Sequence, residues 1–367
     1  MSSFSFTGLT LEKGDFLSRP TIQYKTYGTL NHSKTNVIWV CHALTGNANV
    51  HDWWTGIFGE GKLLDPSKYF IVCANIIGSC YGSTNPLSIN PYTNKPYFHA
   101  FPEITIRDIS RSLIRLRQHL GIQEIQLLIG GSLGGQQAIE WAIIEPNKIK
   151  NLAIIASNAK HSAWGIAFNE SQRMAIKADK TWGENTHNAG LKGLETARAI
   201  ALLSYRNYNT YNETQTNISA CLNTVPRAAS YQQYQGGKLA QRFNAFSYWH
   251  LSKAMDTHNV GRNRGGCEKA LKQITAKTIT ISISTDILFP PEESAFIAQH
   301  IPNAQSFEID SLYGHDGFLL EHDKIQEIIT NNLNLVTKTA KSTTPQLLPT
   351  QQHKLLFLIQ NLKKQYV

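Results

Sequence analysis

The chain has 367 residues, 41% of them hydrophobic and 17% charged, with 7 Trp, 14 Tyr and 15 Phe. That apolar content supports a large core and excludes a mostly disordered chain; at ~150 residues per domain it means two domains, or one large α/β domain with an insertion. The 35 Lys and Arg against 26 Asp and Glu leave a formal charge of +9, but no recognition motif or dense basic stripe accompanies it, so nucleic acid is not expected as a partner. Five scattered cysteines (Cys41, Cys73, Cys80, Cys221, Cys267) without regular spacing fit a reducing compartment rather than a disulfide framework. The polar N-terminus, with Glu12 and Asp15, is unlike a secretory signal. No apolar stretch approaches ~20 residues, so the expectation is a cytoplasmic protein without a membrane span.

Short apolar runs alternate with helical patterns over 1–160, which is how a mostly parallel sheet flanked by helices reads. Val37-Ile38-Trp39-Val40 predicts a strand and is followed at once by His42-Ala43-Leu44-Thr45-Gly46. Tyr69 to Ala74 predicts a second strand. Ile109, Leu113, Leu116 and Leu120 recur at helical spacing and stop at Gly121. Ile125 to Ile129 is too short for a helix and runs into two glycines; a helix over Gln136 to Ile144 and a strand over Leu152 to Ile155 come next. From 161 to 272 the chain is rich in Asn, Gln, Tyr and Arg and lacks strand runs, which predicts a helical lid insertion. The strand pattern returns at Thr278 to Ile283, so 273–337 reads as the second part of the core, with a helix near Glu292 to His300 and a strand at Ser306 to Ile309. Segment 338–367 reads as a linker and a terminal helix. It carries five lysines and no acid, and without it the balance is 30 basic against 26 acidic residues.

Gly130-Gly131-Ser132-Leu133-Gly134 matches G-x-S-x-G between a strand and a helix. In that setting a sharp turn exposes the serine oxygen, and the glycines permit the close approach. The helix N-terminus favours negative charge where an oxyanion develops. A serine nucleophile needs a base and an orienting carboxylate, which in this architecture follow in the order Ser, acid, His. Asp286 follows closely on the strand from Thr278 to Ser284, and His315 lies in the turn-like Tyr313-Gly314-His315-Asp316-Gly317. Asp310 is the rival acid, only five residues before the histidine and at the end of a different strand. The expected triad is therefore Ser132, Asp286 and His315. The oxyanion donors are expected to be the N–H groups of Leu133 and Leu44. His42, at a strand end, reads as structural. No His/Cys cluster at ligand spacing suggests a metal.

The chain also resembles the homoserine O-acetyltransferases of the α/β-hydrolase fold, over nearly its whole length up to about Leu335. The likeness is carried by His42 to Gly46, Cys80-Tyr81-Gly82-Ser83-Thr84, Ser88-Ile89-Asn90-Pro91 and Gly130 to Ala138. Asn169-Glu170-Ser171-Gln172-Arg173, Arg242-Phe243 with Ser247-Tyr248, Met255-Asp256 and Gly314 to Leu319 complete it. The resemblance implies acetyl transfer from acetyl-CoA, as co-substrate with no bound cofactor, through Ser132 to the hydroxyl of L-homoserine, in methionine synthesis. It implies Arg173 for the homoserine carboxylate, Asp316 for its amine, and a homodimer joined through the insertion. Leu133 stands where Met is usual, Ser79 where Gly is usual, and Asn47 where Asp often follows Thr45-Gly46. A succinyl donor, serine as acceptor, or water as in an ordinary serine esterase are the alternatives.

Overall fold

An eight-stranded sheet runs through the molecule, and every strand anticipated above is part of it. The computed structural model describes residues 1–217 and 225–335; the tail expected at 338–367 and Cys221 lie outside the described residues. The strands are β1 (Ser2–Ser5), β2 (Thr21–Tyr27), β3 (Val37–Cys41), β4 (Phe70–Ala74), β5 (Ile125–Gly131), β6 (Asn151–Ile155), β7 (Lys277–Ile283) and β8 (Ala304–Ile309). Their order across the sheet is β1-β2-β4-β3-β5-β6-β7-β8. β1 pairs antiparallel with β2, and β2 antiparallel with β4; every pairing from β4 to β8 is parallel.

The reason the middle strands show as unbroken apolar runs is that both faces are covered. In β3, Val37, Trp39 and Cys41 enter one core while Ile38 and Val40 enter the other. All five residues of β3 and all seven of β5 are buried. One face is covered by α1 (Ile106–His119) and α2 (Leu133–Ile144), the Trp39 and Trp141 rings meeting edge to face at 4.8 Å. A capping box starts α1: the Thr105 side chain accepts from the Asp108 N–H, and Asp108 accepts from the Thr105 N–H at 3.0 Å.

Between β6 and β7 the chain leaves the sheet and is helical: α3 (Ala163–Lys177), α4 (Leu191–Tyr205), α5 (Tyr208–Gln215), α6 (Arg227–Ala240), α7 (Ala245–Asp256) and α8 (Cys267–Leu271). Ser162 caps α3 and Asn244 caps α7 through side-chain oxygens. After β7 come α9 (Pro291–His300), β8 and α10 (His322–Asn332), and α10 buries Ile325 and Ile329 against the second face of the sheet. The sequence reading did not anticipate β1 and β2 or two small hairpins, Gly8–Thr10 with Phe16–Ser18 and Ile89–Asn90 with Lys95–Pro96. These pieces are short or half-exposed, so no apolar run marks them.

Candidate active site

Ser132 stands between β5 and α2 with φ 58° and ψ −129°. A non-glycine residue pays conformational energy for that position, and the surroundings hold it there. Its N–H donates to the Ile155 carbonyl at 3.0 Å, and its carbonyl accepts from Ser157 Oγ at 2.8 Å. The turn fits only because the neighbouring backbones nearly touch. A Cβ on Gly134 would lie 2.1 Å from the Cys41 carbonyl oxygen, so only glycine is accommodated.

Asp286 and His315 meet although 29 residues separate them: His315 Nδ1 lies 2.7 Å from Asp286 Oδ2. The other carboxylate oxygen, Oδ1, accepts the N–H groups of Leu288 and Phe289 at 2.8 and 2.9 Å, which fixes the acid. With the Nδ1 proton on the carboxylate side, Nε2 is the nitrogen left to act as base. The imidazole is wedged between Phe289 and Phe318, both at 5.1 Å, and is buried. Asp310 is exposed and engages Ser284 instead.

A cavity of about 120 Å³ connects these groups; Leu44, Trp53, Ser132, Arg198, His315 and Asp316 are among its lining residues. The turn carrying Leu44 is braced from several sides. The Ala43 carbonyl accepts the Gly46 N–H at 2.9 Å and faces His42 Nδ1 at 2.8 Å, while the His42 carbonyl accepts Gln137 Nε2 at 3.0 Å. His42 Nε2 accepts the Ile76 N–H at 3.2 Å, so the proton sits on Nδ1 and donates to Ala43. Burial depresses the His42 pKa to about 4, and the ring is neutral and structural. The N–H groups of Leu44 and Leu133 have no backbone acceptor among the described residues. Two such donors near the serine are what a tetrahedral oxyanion needs.

Asp316 is buried in the cavity wall, with Arg206 Nε 2.5 Å from its Oδ2. Arg173, expected at the substrate carboxylate, is not among the residues that line this cavity. Its Nη1 donates to Ser252 Oγ at 3.1 Å, its Nη2 lies 2.5 Å from Asp256 Oδ2, and Glu170 takes Nε and Nη2 at 3.0 and 2.6 Å. Its fork is engaged by α3 and α7, and it borders a second cavity with Lys13, Glu103, His250 and Lys253. The arginines in the serine cavity are Arg242, bonded to the Thr45 carbonyl and the Tyr81 hydroxyl, and Arg198. Arg198 is 8% exposed, lies 5.4 Å from the Tyr205 ring, and has no carboxylate partner among the described residues. The sequence held a signal for it: Arg198 falls in register with Leu194, Ala201 and Leu202, a cation on the buried apolar stripe of α4. Among the described residues no group of three or more His, Cys, Asp or Glu could hold a metal, and no helix is long and apolar enough to cross a membrane.

Fold and site together define a class. A family model for the alpha/beta hydrolase fold matches residues 36–322, and the chain belongs to that fold family. The homoserine O-acetyltransferase of Cyclobacterium marinum is 54% identical over 321 residues, covering 88% of this chain and 91% of the relative. Within the hydrolase fold, the chain therefore belongs to the homoserine O-acetyltransferase family. The solved homoserine O-acetyltransferase of Staphylococcus aureus superposes with a TM-score of 0.77 at 30% identity, covering 93% of this chain and 97% of that one. An acetylester hydrolase from Corynebacterium glutamicum superposes as well, with a TM-score of 0.80 at 26% identity over 91% of this chain and 95% of its own.

Proposed function

We propose that the protein transfers an acetyl group from acetyl-CoA to the hydroxyl of L-homoserine, by a ping-pong reaction through acetyl-Ser132, in methionine biosynthesis. His315 Nε2 takes the Ser132 Oγ proton as the oxygen attacks the thioester carbonyl. The Leu44 and Leu133 N–H groups stabilise the tetrahedral oxyanion, and coenzyme A leaves with the proton from His315. Homoserine then binds, its hydroxyl gives a proton to His315, and the alkoxide oxygen attacks the acyl-enzyme. Collapse of the second tetrahedral oxyanion releases the acetyl ester and restores Ser132.

The observation that carries the reading is Arg198. A buried guanidinium without a carboxylate partner is costly, and its planar fork suits a carboxylate supplied by the substrate. Asp316 then tethers the substrate amine beside His315. Together the two hold an amino acid while the hydroxyl reaches the acyl carbon, which gives it an advantage over water. In this reading Arg173 is a strut between α3 and α7.

A panel of acetyl-CoA and succinyl-CoA, each against homoserine and serine, tests the proposal. Acetyl transfer to homoserine is expected to dominate. Release of coenzyme A at a rate indifferent to homoserine would instead make the protein a hydrolase, the activity named for the Corynebacterium neighbour. We place the protein in the cytoplasm, in keeping with Cys41, Cys73, Cys80 and Cys267, which are unpaired thiols. We read it as a homodimer joined through the insertion, where Trp164 and Met174 on α3 and Leu203 on α4 are each more than half exposed.

A further inference from the structure

Arg198, Lys238 and Arg242 bring three positive charges to the serine cavity, against one carboxylate, Asp316, among its lining residues. Arg242 is committed to the architecture: its Nη1 donates to the Thr45 carbonyl at 2.8 Å and to the Tyr81 hydroxyl. Arg198 is accounted for by the acceptor. Lys238 is not. It lies in the last turn of α6, half-buried, and no carboxylate pairs with it among the described residues. Its Nζ sits 5.3 Å from the ring centre of Tyr234, which is 60% exposed. A lysine near a helix C-terminus is ordinary on dipole grounds. Its position in the wall of the nucleophile's cavity is not explained by the dipole.

We propose that Lys238, steadied by Tyr234, binds the phosphate groups of the acyl-CoA donor at the mouth of the cavity, an inference that rests on the transferase reading above. When the acyl carbon meets Ser132 Oγ, the pantetheine arm runs outward and its phosphates stand at the entrance. An ammonium is a compact point charge with three donors, suited to phosphate oxygens. The Tyr234 face orients that charge without neutralising it. The register of α6 over the site is set by its contact with α4: a Cβ on Gly236 would lie 2.6 Å from the Glu195 carbonyl oxygen, so the two backbones touch there.

The test compares kcat/KM for acetyl-CoA with kcat/KM for S-acetyl-N-acetylcysteamine, which has the same thioester and no phosphate, at saturating homoserine. The ratio of the two does not depend on the fraction of active enzyme. Lys238→Ala should lower it about tenfold, the scale of a lost charge-assisted hydrogen bond, and Lys238→Arg should keep most of it. Rising salt should lower the wild-type ratio more than that of Lys238→Ala. An unchanged ratio in Lys238→Ala, or in the better-packed Lys238→Gln should the alanine variant fold poorly, overturns the proposal. Failure of the transferase reading looks different: wild-type thiol release would ignore homoserine with both donors, and the same ratio, measured on hydrolysis, would still decide whether Lys238 recognises phosphate.

Discussion

Nε of Arg206 lies 2.5 Å from Oδ2 of Asp316, one residue beyond the histidine that faces Asp286. Arg206 follows α4 directly, so the helix that carries Arg198 into the cavity also delivers the cation that orients Asp316. The two groups assigned to the amino acid are thus set by one stretch of the insertion.

Asp316→Asn retains an acceptor for Arg206 but removes the charge assigned to the substrate amine. Homoserine KM should rise about tenfold or more, while hydrolysis of p-nitrophenyl acetate, which has no amine, should change much less. Steady-state kinetics with both substrates check this. An unaltered homoserine KM would remove Asp316 from the acceptor site.

Ser132→Ala should abolish both transfer and ester hydrolysis, with a loss on the order of 10⁶-fold in kcat, and leave the far-UV circular dichroism unchanged. Asp286→Asn keeps the oxygen that accepts from Leu288 and Phe289 but presents an N–H donor to His315, disfavouring the required tautomer. The expected loss is roughly 10⁴-fold. A loss below about tenfold would point to another acid, contrary to the triad logic.

The two arginines separate by readout. Arg198→Ala should raise homoserine KM by roughly 10- to 100-fold, the scale of a hydrogen-bonded ion pair. Arg173→Ala should leave that KM near the wild-type value but deprive Asp256, whose side chain is 15% exposed, of its cation and leave it the Asn169 amide as donor. The variant should unfold about 3 kcal/mol more easily in urea. The reverse pattern would restore Arg173 to the acceptor site.

Acid should destabilise the fold through its buried histidines. Burial lowers the pKa of His42 and His250 from 6.5 to about 4, and of His161 and His258 to about 3. A depressed histidine pKa means that the unfolded chain binds more protons below 6.5. Stability is therefore complete above that pH and falls as the pH drops towards the folded values. Each such histidine removes up to about 1.4 kcal/mol per pH unit in that window. Thermal melts at pH 7.5, 6 and 5 should show Tm declining at each step; a constant Tm would mean that these rings protonate without unfolding.

The central strands and the Ser132 turn were legible in the residue order because their causes are local. A strand covered on both faces must be apolar throughout, as β3 and β5 are, and a strand–serine–helix turn needs its glycines in fixed places. β1, with one residue half-buried and three exposed, carried no such mark. Chain order was enough to nominate Asp286 and His315, although their 2.7 Å contact joins loops that only the assembled sheet brings together. Arg173 and Arg198 look alike as sequence, each on a helix of one insertion. Packing separated them: α3 turns Arg173 onto Asp256 and Ser252 of α7, whereas α4 carries Arg198 into the cavity with Ser132. Which helix face covers the nucleophile depends on contacts between residues far apart in the chain, and no local pattern encodes it.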